Sequence, residues 1–279
     1  MTAGEPDRRS TAFTAASVPR NYSMRLGSVV FEPWAEVLLD TVGVSPGDRV
    51  LDVASGTGVV ARAAARRAGP QGSVVGTDVS EPMLSLAAAR PPSDDCAPIE
   101  YLEARADRLP FPEESFDVVL CQQGLQFFAE RLDAAREMHR VVRASGAVGA
   151  AVWAAGYRLE PFDDYAEALA ATGVEPPFPR AFENAAFVMT EGAGRELFED
   201  AGFADVEVSV LEQTVAFPDP GSAAEGILGT PFGPVVAALP GDQSEALQAD
   251  LLRRFHPESP REPVRRTTAA VVVRATKGL

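Results

Sequence analysis

Residues 50–67, VLDVASGTGVVARAAARR, constrain this chain more than any other stretch. A short apolar run carrying one acid, Asp52, enters a glycine-bearing turn at 55–58 and continues into an alanine- and arginine-rich segment. The run has the length of a buried strand, and the segment after it is built from strong helix formers. Glycine lets a backbone take positive φ and approach a ligand closely. Strand, glycine turn and helix in that order form a nucleotide-binding turn.

The same alternation continues. Arg49–Val53, Ser73–Asp78, Ile99–Glu103, 116–121 and 147–153 read as strands. Val59–Ala68 and 129–142 read as helices, and Ser80 caps another with Pro82 in its first turn. Strands alternating with helices imply a parallel sheet covered on both faces. Ahead of the first strand, 29–42 reads as an amphipathic helix with Val30, Trp34, Val37, Leu38 and Val42 on one face. Later, 160–172 and 192–201 read as helices, and 206–211 and 268–274 as strands.

Ligands of open parallel sheets bind beyond the carboxyl ends of the strands. Two readings of the turn compete. Gly56, Gly58 and Ala61 fit the dinucleotide spacing, and Asp78 lies about 20 residues on. Asp52 favours the other reading. A carboxylate so near the turn repels a pyrophosphate but attracts the cationic amino group of S-adenosylmethionine, which has no phosphate. Asp78 suits the ribose hydroxyls of either ligand, and Val79 and Met83 would pack on an adenine.

Composition narrows the partners. The net charge is −15, which disfavours nucleic acid. No apolar run approaches the ~20 residues of a membrane span, and residues 1–20 carry no apolar signal core. The expectation is a cytoplasmic protein with residues 1–20 as a flexible tail and no membrane partner. The two cysteines, Cys96 and Cys121, show no metal-ligand spacing, so no metal is expected.

From residue 22 onward the chain resembles the class I S-adenosylmethionine-dependent methyltransferases, especially the small-molecule branch of bacterial secondary metabolism. Four stretches carry the resemblance: LDVASGTG, with Ala54 where the family's first glycine stands; VVGTDVSEPML; EARADRLPFPEESFDVVLCQQGLQFF; and REMHRVVRASGAVGAAVW, with Ala144 and Ser145 in place of Pro-Gly. The resemblance implies a Rossmann-like, doubly wound α/β fold. Its seven-stranded sheet has the order 3-2-1-4-5-7-6 with the last strand antiparallel. One domain would span 21–279, with lid and cap segments at 21–45, 155–195 and 214–266. The implied cofactor is S-adenosylmethionine, with S-adenosylhomocysteine as product. The implied partner is a small-molecule acceptor, and the implied state a monomer or homodimer.

Site residues follow from both lines. Asp52, Ala54, Ser55, Gly56 and Gly58 form the turn, and Asp78, Val79 and Met83 hold the adenosine. The resemblance adds Ala106 and Asp107 at the adenine, Gln122 at the methionine end, and Tyr22 and Phe31 as a lid. Gln126 would face the acceptor. The strand-four tip lacks the Pro-Pro-aromatic motif that grips a flipped base. The aromatic residues of the insertions, among them Tyr157, Phe162, Phe178, Phe182 and Phe187, suit an apolar or aromatic acceptor. His139 and His256 are the candidate general bases, His256 the better placed, and the alternative is a reaction with no base, where the nucleophile arrives unprotonated. A non-methylating relative, a nicotinamide-dependent dehydrogenase and a non-catalytic binding partner are the rival readings.

Overall fold

The computed structural model describes residues 17–174, 187–256 and 262–279. Its seven strands are β1 (Arg49–Val53), β2 (Ser73–Asp78), β3 (Ile99–Glu103), β4 (Phe116–Gln122), β5 (Val142–Trp153), β6 (Asp205–Phe217) and β7 (Val264–Thr276). They form one sheet in the order 3-2-1-4-5-7-6. The first five pair in parallel, and β7 lies antiparallel to both β5 and β6. This is the Rossmann-like topology that the sequence resemblance implies.

Helices cover both faces. They are α1 (Ser17–Arg25), α2 (Glu32–Val42), α3 (Val59–Ala68), α4 (Glu81–Ala88), α5 (Arg131–Val141), α6 (Phe162–Ala171), α7 (Glu191–Asp200), α8 (Pro220–Glu225), α9 (Gly233–Ala237) and α10 (Gly241–Arg254). Buried residues of α2, α3 and α6 share one core cluster, and those of α5 and α7 share the other. The apolar residues of α2 that the sequence places on one face include Trp34, Leu38 and Val42, all buried. Trp34 donates its indole N–H to Thr268 Oγ1 at 2.9 Å, which pins α2 to β7. Tyr165 of α6 donates its hydroxyl to the carbonyl of Ala223 at 2.6 Å, tying α6 to α8. The buried Asp164 accepts from Arg158 at 2.7 Å and from Arg266 at 2.8 Å, so α6 is locked onto β7. No described helix is long and apolar enough to cross a membrane.

Several elements differ from the sequence expectation. The segment expected as a tail enters α1 at Ser17, and residues 1–16 lie outside the described residues. The helix expected over 29–42 is two pieces: a π-helical turn over Gly27–Phe31, then α2. Within the turn the N–H of Glu32 reaches the carbonyl of Gly27, one residue farther than in an α-helix. β6 and β7 are longer than expected because they pair along their whole length, from Asp205 opposite Thr276 to Phe217 opposite Val264. Ser80 occupies the N-cap of α4, yet its side chain makes no capping bond; its N–H goes to Asp78 instead.

Candidate active site

The carboxyl ends of β1, β2 and β4, with Tyr22 of α1 and Phe31 of the π-turn, line a cavity of about 220 Å³. Every residue expected at the cofactor lines it except Gly58. Gly58 caps α3 with φ +77°, and a Cβ there would come within 2.3 Å of the Tyr101 hydroxyl. Its glycine serves the packing of the turn against β3 and makes no wall of the cavity. Ala54, standing where the family's first glycine does, also takes a left-handed φ of 58°. That conformation costs an alanine about 1 kcal/mol, so the turn dictates the backbone whichever residue fills it.

Two acids organise the turn. Asp52 is buried at the end of β1 and accepts the N–H of Ala61 at 2.9 Å. Burial pushes its carboxyl up to about 7, and the nearby Asp78 adds to the rise. Asp78 accepts the N–H groups of Gly56 and Ser80, each at 2.9 Å. Burial also raises the Asp78 carboxyl, while those N–H groups pull it back down. Ionising Asp52 is therefore costly, and a cation in the cavity would relieve that cost. Asp107 lies on the far wall, gripped by Arg105 through Nε at 2.9 Å and Nη2 at 2.5 Å. That guanidinium holds its carboxyl below the usual range.

The tip of β4 supplies the amides. Gln122 donates from Nε2 to the Phe31 carbonyl at 3.0 Å, tying the strand to the π-turn. Its Oε1 is buried and has no protein partner. Thus one end of the Gln122 amide holds the π-turn, and the other borders the cavity without a protein partner. Tyr22 stacks on Phe31 with ring centroids 4.6 Å apart. Burial raises the Tyr22 hydroxyl far above its ordinary range, with Asp78 and Asp52 adding to the effect.

A second cavity of about 80 Å³ adjoins the first, and Tyr22, Phe31, Gln123 and Phe127 line both. Gln126 lines the second cavity, together with Trp153, Phe162, Phe187, Thr230 and Phe232. Phe178 and Phe182 lie outside the described residues.

The structure corrects the choice of base. His256 is exposed just past the end of α10 and lines neither cavity. Its neighbour Phe255 turns into the core, which carries the histidine outward. His139 packs edge-on against Phe203 on α5, away from the strand tips. The sequence reading also missed Gln123 and Phe127. Gln123 lies between Gln122 and Gln126 and Phe127 directly follows Gln126, but nothing in the sequence marks Gln123's φ of 54°.

The cavity's chemistry fits S-adenosylmethionine. Asp52 and Gln122 Oε1 suit an ammonium group, Asp78 suits a ribose diol, and Val79 and Met83 offer apolar surface to a base. Among the described lining residues the one cation, Arg105, is already paired with Asp107, so nothing there balances a pyrophosphate. That disfavours the dinucleotide reading. No described group of His, Cys, Asp or Glu clusters as a metal site.

These features define a Rossmann-like protein with a nucleoside site at its strand tips. Residues 51–149 match the methyltransferase domain family. The chain is 39% identical over 136 residues to the ubiquinone/menaquinone biosynthesis C-methyltransferase UbiE of Xanthomonas campestris, covering 47% of this chain and 53% of that protein. It is 39% identical over 114 residues to UbiE of Ectopseudomonas oleovorans, covering 40% of this chain and 67% of that protein. It spans about half the length of most of these curated relatives. In fold it resembles phosphoethanolamine N-methyltransferase 2 of Haemonchus contortus, solved with S-adenosyl-L-methionine, at a TM-score of 0.63 and 18% identity, covering 100% of this chain and 62% of that one. The chain belongs to the class I S-adenosylmethionine-dependent methyltransferases.

Proposed function

We propose that this protein transfers the methyl group of S-adenosylmethionine to a small, apolar or aromatic acceptor held in the second cavity. The observation that carries this reading is the junction of the two cavities across Tyr22, Phe31, Gln123 and Phe127. When bound, S-adenosylmethionine supplies a methyl group on a sulfonium, so an in-line nucleophile forms its bond to carbon as the carbon–sulfur bond breaks and the sulfur keeps the electron pair.

This chain's residues bind, orient and exclude water. Asp52 and Gln122 Oε1 would accept from the ammonium, Asp78 would accept from the ribose hydroxyls, and Asp107 would meet the adenine. Tyr22 and Phe31 cover the reacting region and keep water out, which favours in-line approach. No histidine lines either cavity among the described residues. The donor is already activated, so a base is needed only where the nucleophile arrives protonated.

The named relatives act in ubiquinone and menaquinone biosynthesis, and a quinone-type ring is one acceptor of the proposed kind. The family match ends at residue 149, whereas Trp153, Phe162, Phe187, Thr230 and Phe232 of the second cavity all follow it. The acceptor is therefore read from the cap. Cytoplasmic methylation within secondary metabolism is part of the same reading. The test is incubation with methyl-labelled S-adenosylmethionine and a metabolite extract, scanned by mass spectrometry. A labelled small molecule supports the reading. Bound cofactor with no label in any extract fraction favours a non-methylating relative.

A further inference from the structure

Gln123 is an expensive residue where it stands. Its φ of 54° lies in the left-handed region, which costs a residue other than glycine about 1 kcal/mol. Its N–H is spent on the carbonyl of Ala151 at 2.8 Å, so β5 holds the strained backbone in place. Both polar atoms of its side chain are buried without a protein partner. The same is true of Gln126 Oε1, and both residues line the second cavity. An unpaired buried amide atom costs on the order of 1–3 kcal/mol. Strain and unpaired amides gathered at the second cavity and on the wall it shares with the first point to a ligand that completes them.

The unmet needs define that ligand's chemistry. Gln123 Oε1 and Gln126 Oε1 require donors, and Gln123 Nε2 requires an acceptor. One hydroxyl supplies one donor and one acceptor from the same atom, enough for the Gln123 Nε2 and one of the two Oε1 atoms, whereas an ether or ketone only accepts. The described lining carries no charged side chain, so a phosphate, carboxylate or ammonium entering it would be buried without a counter-charge. The remaining walls are mainly aromatic rings, and the space is about a third of that in the first cavity (80 against 220 Å³).

We propose that Gln123 and Gln126 form an amide pair that selects an uncharged, compact ring bearing a hydroxyl, and that rejects ionised acceptors. The proposal rests on the methyl-transfer reading and adds its specificity element. It separates this chain from proteins whose substrates carry a phosphate.

The test uses the full chain saturated with S-adenosylhomocysteine, whose binding is first established by calorimetry. Three ring probes of similar shape, p-cresol, toluene and 4-methylbenzoate, are then titrated by ligand-observed NMR. The expected result is binding of p-cresol at least tenfold tighter than either of the others. Gln126→Leu is expected to erase the preference over toluene while leaving S-adenosylhomocysteine affinity unchanged. Equal binding of p-cresol and toluene, preference for the carboxylate, or no binding of any probe overturns the amide assignment and leaves the methyl-transfer reading standing. Failure of S-adenosylhomocysteine to bind overturns both. The comparison in the native chain is decisive even if the variant does not fold.

Discussion

Asp52 makes binding and protonation the same event. Its carboxyl titrates at about 7 because it is buried at the end of β1. In the free protein at pH 7 it is thus about half protonated. A bound ammonium favours the carboxylate, so binding should expel about half a proton at pH 7, about 0.9 at pH 6 and about 0.1 at pH 8. The ionised fraction at pH 6 is about one-tenth, so apparent affinity should fall close to tenfold between pH 8 and pH 6. Calorimetric titration with S-adenosylmethionine in buffers of different ionisation enthalpy reads the proton count directly. Asp52→Asn keeps an oxygen for the Ala61 N–H and serves as the control for the ligand's own titration. The linkage to folding has the opposite sense. A carboxyl raised from 3.8 to about 7 contributes stability that is full below pH 4 and is lost as pH rises through 7. The Asn variant should therefore gain stability relative to the native chain above pH 7, read from urea midpoints. Proton release that persists in Asp52→Asn, or affinity that stays flat from pH 6 to 8, would refute the assignment.

Asp78→Asn replaces one acceptor oxygen with an amino group that faces a backbone N–H, either that of Gly56 or that of Ser80. Cofactor affinity should fall more than about tenfold, or ~1.4 kcal/mol, and unchanged affinity by calorimetry would sink the ribose assignment. Gly58→Ala adds left-handed strain of about 1–2 kcal/mol and an overpacking cost of about 1–3 kcal/mol against the Tyr101 hydroxyl. Tyr101→Phe in the same chain should restore part of that loss in a denaturation experiment, and strict additivity would contradict the contact. Trp34→Phe removes the bond to Thr268 and should lower unfolding free energy by about 1–2 kcal/mol, with cofactor affinity unchanged because Trp34 lines neither cavity.

The parallel half of the sheet was legible because local chemistry and tertiary environment agree there. β1, α3, β2 and β3 begin and end where the apolar runs, the glycines and the alanine-rich stretch place them. β6 hid its second half because Glu212-Gln213-Thr214 interrupt the alternation that 206–211 shows, and pairing with β7 keeps them extended at the sheet edge. The π-turn was illegible because a hydrogen bond one residue longer leaves the apolar spacing of 29–42 nearly helical. Within the site, Asp52 and Asp78 could be read from their places at strand ends, and Gln122 from the family resemblance. Gln123 could not, since its role depends on a backbone angle and on the cap closing beside it. His256 misled for a related reason: rarity and aromatic neighbours drew attention, while the last turn of α10 decides which way it points.

The wall common to both cavities has a consequence for turnover. Tyr22, Phe31, Gln123 and Phe127 each present one surface to either side. A ligand that shifts the Tyr22–Phe31 stack therefore alters the neighbouring compartment, and the two occupancies are not independent. Steady-state rates should follow the intersecting patterns of a ternary complex rather than the parallel lines of a shuttle. The spent thioether retains the adenosine and amino-acid groups by which the donor is held. On the proposed reading it should therefore compete with the donor for the first cavity, and added S-adenosylhomocysteine should slow turnover until it is cleared.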